Sequence, residues 1–160
     1  MKLLLKQKFW SWFDSFDIRN ESGEVEYLVK GQLAWGHAFK IFDKRGNEIA
    51  EVRQRLWSWS YRFDIIQNGI VVGEVHKQIT WFKPKFDISF NSKVYDVDGN
   101  WMQWDYEIKT GGVLVADIHK EIWNWTDTYS INVNEKDALT SVILVVAIDA
   151  IKCVQQSANS

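Results

Sequence analysis

Cysteine and proline are almost missing from this chain, with one of each, Cys153 and Pro84, among 160 residues. A lone cysteine excludes an internal disulfide and suits a reducing compartment. An excess of one charge is missing too. Nineteen Lys and Arg against 21 Asp and Glu leave a net charge of −2, so nothing drives the chain as a whole toward nucleic acid, and only local basic patches could attract anionic lipid. The three histidines, His37, His76 and His119, are far apart. With a single cysteine they give no zinc-type spacing, and neither a Gly-rich phosphate loop nor a nucleophile elbow occurs. The first eight residues hold only three apolar side chains in a row, too few for a signal peptide. No apolar segment reaches the ~20 residues of a membrane span. These absences lead to the expectation of a cytoplasmic, non-enzymatic protein that uses no metal and no cofactor.

Aromatic residues are what the chain has in excess: ten Trp, nine Phe and five Tyr. They are concentrated in a repeated unit. Lys6-Gln-Lys-Phe-Trp-Ser-Trp-Phe-Asp-Ser-Phe-Asp-Ile18 returns as Arg53-Gln-Arg-Leu-Trp-Ser-Trp-Ser-Tyr-Arg-Phe-Asp-Ile65. Looser copies run from His76 to Ile88 and from His119 to Ile131, and all four align without a gap. An acid-apolar pair precedes the last three: Glu51-Val52, Glu74-Val75 and Asp117-Ile118. The irregular spacing between copies argues against a solenoid.

Each copy reads as a β-hairpin. Period-two alternation places Val52 and Leu56, Val75 and Ile79, and Ile118 and Ile122 on one face, with Lys6, Arg53, His76 and His119 on the other. The aromatic knot turns the chain, and Phe-Asp-Ile or Tyr-Ser-Ile begins the return strand. Turn chemistry separates the copies at Asn20–Gly23, Asp43–Asn47, Asn68-Gly69, Asp98-Gly-Asn100 and Thr110–Gly112, with a less regular connection from Gly31 to Gly36. Cutting there predicts about twelve strands, near 2–9, 13–19, 24–30, 38–43, 48–56, 61–67, 70–79, 85–90, 92–98, 101–109, 113–122 and 127–133.

The end of the chain is different. Val142 to Ile148 carries no polar side chain, and Val145 and Ile148 interrupt any polar stripe between Ser141 and Lys152. A helix that is apolar all round belongs inside a core or a membrane. Ala138 to Ile151 would span only ~21 Å, short of the ~30 Å hydrocarbon layer, which leaves a protein wall. The β-branched run could also be a buried strand by periodicity alone. Asn134 as a cap, Glu135 and Asp137 in the first turn and Lys152 in the last favour a helix over 137–152. Many antiparallel strands and one apolar rod together predict a mostly β protein, a single domain over 1–160. Its sheet is expected to close into an antiparallel barrel of about twelve strands around a central C-terminal helix.

With this order of strands and helix, and with stretches such as Gly46-Asn-Glu-Ile-Ala-Glu-Val-Arg-Gln-Arg-Leu56, the chain resembles the LURP-one-related family. That family lies within the tubby C-terminal-like superfamily, which also includes the phospholipid scramblases. The resemblance covers essentially the whole chain and implies a closed twelve-stranded barrel around the helix. It transfers no tubby lipid-binding residue to this sequence, and the Pro-rich N-terminal region of the scramblases is absent. The function it implies is a binding module for a phospholipid or membrane surface, or for a protein partner.

Three groups of residues bear on function. The Trp-x-Trp pairs Trp10/Trp12, Trp57/Trp59 and Trp123/Trp125, with Lys6, Lys8, Arg53 and Arg55, compose a lipid-binding surface if the rings are exposed. If the rings are buried, they close one end of the barrel instead. Asp149 opposes the helix dipole near the C-terminal end. Either a salt bridge at the barrel mouth answers it, or it faces a ligand, which would make the protein a small-ligand-binding or enzymatic barrel with a polar mouth around Asp149. Asp96, Asp98, Asn100 and Glu107 fall at positions 1, 3, 5 and 12 of a calcium loop. Trp101 stands where that loop needs Gly, so a hairpin turn at Asp98-Gly-Asn100 is expected there.

Overall fold

The computed structural model describes residues 1–6, 15–34, 36–58, 60–78, 80–121 and 128–159. Twelve antiparallel strands follow one another around a closed barrel, and each pairs with its neighbours in sequence. They are β1 (Lys2–Lys6), β2 (Ser15–Asn20), β3 (Val25–Ala34), β4 (Gly36–Asp43), β5 (Glu48–Gln54) and β6 (Arg62–Gln67), then β7 (Ile70–Gln78), β8 (Lys85–Phe90), β9 (Lys93–Asn100), β10 (Asp105–Thr110), β11 (Val113–Glu121) and β12 (Thr128–Val133). Strand β12 closes the sheet on β1, with Leu3 opposite Ile131 and Leu5 opposite Tyr129. Among the described strands no sheet edge is left to pair with another chain. A 3₁₀ turn at Glu135–Asp137 leads into the helix α1, Ala138–Ala158.

Alternation sets which residues face inward. Leu3 and Leu5, Phe63 and Ile65, Phe86, Ile88 and Phe90, and Tyr129, Ile131 and Val133 all point into the lumen and are buried. They enclose α1, whose residues from Val142 to Ile148 are fully buried. At 1.5 Å per residue the 21-residue helix runs about 31 Å through the barrel. Its last six residues, Cys153 to Ala158, exceed the expected 137–152, and Gln156, Ser157 and Ala158 are exposed. The expected Asn134 cap does not form. Neither Asn134 nor Asp137 makes a side-chain capping bond, and the 3₁₀ turn takes up the start of the helix instead. Within the described residues no helix is long and apolar enough to cross a membrane.

Sequential antiparallel pairing puts alternate connections at opposite ends of the barrel. At one end lie the short turns β2–β3, β4–β5, β6–β7, β8–β9 and β10–β11, together with the entry of α1. Asn68-Gly69 shows why these turns are tight. Both residues have positive φ, 50° and 74°, the geometry of a two-residue hairpin that matches strand twist. The β2–β3, β4–β5, β6–β7 and β10–β11 pairs each carry a register shift near this end. Such bulges add twist and help a sheet to close. At the other end lie the β1–β2, β3–β4, β5–β6, β7–β8, β9–β10 and β11–β12 connections and the C-terminal part of α1. All four repeated units belong to hairpins that turn at this aromatic end.

Several local expectations change. Gly31 to Gly36 is not an irregular connection. Strands β3 and β4 run on to Ala34 and from Gly36, and Gly36 adopts a φ of 98°. Asp98-Gly-Asn100 ends β9 rather than turning, and a 3₁₀ turn at Trp101–Gln103 makes the corner, with Trp104 at a φ of 56°. Strand β10 therefore starts at Asp105, not at 101. Glu107 sits across the ladder from Asp98, and Lys109 bridges the two carboxylates at 2.6 and 3.2 Å. The calcium-like letters are a charged hairpin ladder.

Candidate functional site

The repeat has a structural meaning that its letters only suggest. Across the ladder, Arg53 faces Asp64 and His76 faces Asp87, so in the second and third copies the basic column meets the Asp of Phe-Asp-Ile on the return strand. In the last hairpin the partner of His119 is Ser130. With no acid across from it, His119 turns to Asp105 on β10 and Asp117 on its own strand, each 2.9 Å from a ring nitrogen. Burial works against the imidazolium, but the hydrogen bonds and charges of Asp105 and Asp117 outweigh it and hold the His119 pKa above the ordinary value.

The inner faces follow the sequence reading in part. Val52, Val75 and Ile118 are fully buried. Leu56 lies beyond the end of β5 and is 41 % exposed, so it leaves the core column. Ile79 and Ile122 lie outside the described residues.

Of the lipid-contact residues read from sequence, Lys8, Trp10, Trp12, Trp59, Trp123 and Trp125 also lie outside the described residues. Lys6 is exposed at the end of β1. Arg53 is exposed, but an ion pair of 2.6 Å holds it to Glu51. Arg55 pairs with Asp64 and with Glu74 at 3.1 Å, which offsets its charge. Trp57 stands fully exposed at the β5–β6 tip, with a φ of 65°. A bulky residue in the left-handed region is strained.

Sequence reasoning missed the neighbouring β7–β8 tip. Trp81 and Phe82 are each 98 % exposed there, and Lys83-Pro84-Lys85 follows them. Strands β6 and β7 are paired, so the Trp57 and Trp81 tips belong to adjacent hairpins. Behind them is a cleft of about 390 Å³ lined by Tyr61, Lys77, Trp81, Lys83, Trp101 and Gln155, with no acidic residue in its wall. Lys77 donates to the Gln155 side-chain oxygen at 2.7 Å and lies over the Tyr61 and Trp101 rings at 5.8 and 5.2 Å. Burial lowers its pKa. The departure of the third copy from Trp-Ser-Trp to Thr-Trp-Phe-Lys-Pro was the signal available in the sequence.

The helix contributes a second group at the same end. Asp149 is 2 % exposed, and neither of its carboxyl oxygens has a hydrogen-bond partner. Among the described residues no salt bridge to Asp149 forms at the barrel mouth. Lys152, one turn on, donates instead to the Met102 carbonyl at 2.6 Å and lies 5.0 Å from the centre of the Trp104 ring. Burial pushes the Asp149 pKa well up, and the Lys152 charge opposes that only in part. The Tyr106 hydroxyl, also buried and without a hydrogen-bond partner, is pushed up by burial and by Asp149. Burial and then Asp149 raise the Cys153 thiol to about 11, which leaves it unreactive at neutral pH. Asp149 lines neither of the clefts flanking the Trp101–Gln103 turn, the one just described and another of about 690 Å³ beside β10–β12.

A closed twelve-stranded barrel threaded by an apolar helix, with aromatic hairpin tips at the end where the helix emerges, defines a distinct class of β protein. The family model for LURP-one-related proteins matches residues 1–149, and the chain belongs to that family. It is 27 % identical over 153 residues to the uncharacterised protein YxjI of Bacillus subtilis, covering 94 % of this chain and 93 % of that one. The X-ray structure of a protein from Arabidopsis thaliana superposes with a TM-score of 0.64 over 92 % of this chain and 89 % of the other, at 15 % identity. That likeness is one of fold.

Proposed function

We propose that this protein is a non-enzymatic binding module that sets the aromatic end of its barrel on an anionic membrane surface. The observation that carries the reading is the pair of adjacent hairpin tips bearing Trp57, Trp81 and Phe82, all at least 98 % exposed. Scattered apolar residues on a surface need no explanation, but neighbouring aromatic rings held fully in water do. Trp in particular suits the headgroup layer, where its ring meets apolar chains and its N–H meets water. The exposed Lys83 and Lys85 follow Trp81 and Phe82 in the chain, and near an anionic surface each basic residue adds roughly 1 kcal/mol. Removing most of one ring from water adds roughly 2 kcal/mol. Three rings and two exposed lysines therefore suffice for reversible docking without a spanning segment.

Flotation with vesicles of phosphatidylserine and phosphatidylcholine tests the reading. The wild type is expected to float at low salt and to bind less as salt rises. Trp81→Ala/Phe82→Ala should weaken binding by at least about tenfold, a loss of ~1.4 kcal/mol. Because both rings are in water, the melting temperature should stay within about 2 °C of wild type. Absence of flotation at low salt, or full flotation by the double variant, would overturn the assignment.

A further inference from the structure

The cleft of about 390 Å³ behind the Trp81 and Phe82 rings gathers donors that no acid in its wall answers. Lys77 is half-buried there. Its ammonium carries three N–H donors. One goes to the Gln155 side-chain oxygen at 2.7 Å, while the Tyr61 and Trp101 rings, at 5.8 and 5.2 Å, offer only their faces. None of its contacts among the described residues is with a carboxylate, and no Asp or Glu lines the cleft. A cation that has exchanged part of its water for rings and a neutral amide is short of a counter-charge. Burial lowers the Lys77 pKa accordingly. Two further donors share the wall. Gln155 meets Lys77 with its oxygen, which leaves its amide N–H groups without a partner among the described residues. Lys83 stands exposed on the same wall. Such a set of donors suits a compact anion with several oxygens.

We infer that this cleft seats the phosphate group of a single lipid headgroup, held by the charges of Lys77 and Lys83 and by the Gln155 amide. The inference rests on the membrane contact proposed above. Trp81 and Phe82 form the exposed tip and also line the cleft, so rings placed in the headgroup layer bring the cleft mouth to the lipid phosphates. A phosphate presents more acceptor oxygens than a carboxylate, which suits three separate donors, and lysine is a good point-charge partner for it. The Tyr61, Trp81 and Trp101 rings leave apolar wall for the glycerol carbons beside it.

Dihexanoyl phosphatidic acid, titrated as a monomer into ¹⁵N-labelled protein, provides the test. Saturable shifts are expected for the amides of residues 77, 78, 80–83, 101, 102 and 155. Affinity should fall at least about tenfold in Lys77→Gln and at least about threefold in Gln155→Ala. Gln155→Ala leaves the net charge unchanged, so a diffuse attraction between charges would not register it. Gln155 is partly exposed near the end of α1, and its variant remains informative if Lys77→Gln alters the fold. Flotation of the wild type with vesicles containing phosphatidic acid separates the site from the membrane contact. A wild type that floats but shows only linear, non-saturating shifts, or that binds the lipid no better than Gln155→Ala, would contradict the site and leave the contact standing. A wild type that takes the monomeric lipid but floats with no vesicle would overturn the contact, and with it the membrane as the source of the phosphate.

Discussion

Val145→Asp is expected to cost more than about 4 kcal/mol, enough to unfold much of the population of an ordinary domain. Val145 is fully buried at mid-helix, among Val142, Ile143, Leu144, Val146, Ala147 and Ile148, which are equally buried. The nearest basic group on the helix is Lys152, two turns away and engaged at the mouth. An aspartate at 145 would therefore either stay charged without a partner or hold its proton at neutral pH. Both are destabilising, and two methyl groups are lost as well. At roughly 3 °C per kcal/mol for a domain of this size, melting should fall by at least about 10 °C. Val145→Ala, which makes only a cavity, should lose about 1–3 kcal/mol. Differential scanning calorimetry on both variants decides it. A Val145→Asp protein that melts near the wild-type temperature would mean that the helix is not enclosed by the barrel.

The second large effect has the opposite sign. Asp149→Leu is expected to stabilise the protein by about 2–3 kcal/mol at neutral pH, because it removes a buried carboxyl whose oxygens have no partner. The effect depends on pH in a fixed direction. Burial raises the folded-state pKa of Asp149 above its unfolded value, so the folded state keeps a proton that the unfolded state releases. Below about pH 4 both states are protonated and the group imposes no titration penalty. As pH rises above that value the wild type loses stability, until the folded pKa is reached. Asp149→Asn keeps the polarity but cannot titrate, so it should abolish this slope while gaining little at pH 4. Urea denaturation of the three proteins between about pH 4 and 7 measures it. Parallel curves for wild type and Asp149→Asn would show that Asp149 ionises freely in the fold.

Much of the architecture was legible because two periodicities are written plainly. The alternation around Val52, Val75 and Ile118 gives strands, and a run from Val142 to Ile148 without a polar position gives an enclosed rod. The four aligned copies gave the hairpins and their common end. Local turns were less legible. Asp98-Gly-Asn100 has turn composition, but Gly99 at a φ of 116° lies where a Cβ would come 2.6 Å from the Asp105 carbonyl. Close approach of two strands set that glycine, not a reversal of the chain. Similarly, a Cβ on Gly73 would meet the Ser89 carbonyl at 2.3 Å, a constraint of β7–β8 contact that no single-strand pattern contains. Side-chain pairing was the least legible. Arg53 and Arg55 look like free basic residues in the sequence, and only the ladder places Glu51, Asp64 and Glu74 against them. Lys77 and Lys152 look ordinary until the fold sets them over aromatic faces without a carboxylate.

If the aromatic end of the barrel is the contacting surface, hydrogen–deuterium exchange in the presence of phosphatidylserine vesicles shows it most directly. Added vesicles are expected to slow exchange in residues 55–58, 80–84 and 101–104, where the hairpin tips and the emerging helix meet. Exchange in the opposite turns, residues 21–24, 44–47, 68–69 and 111–112, should be unchanged. Protection of those opposite turns, or no protection of 80–84 under conditions where the protein floats, would contradict the assignment of the aromatic end as the contacting surface.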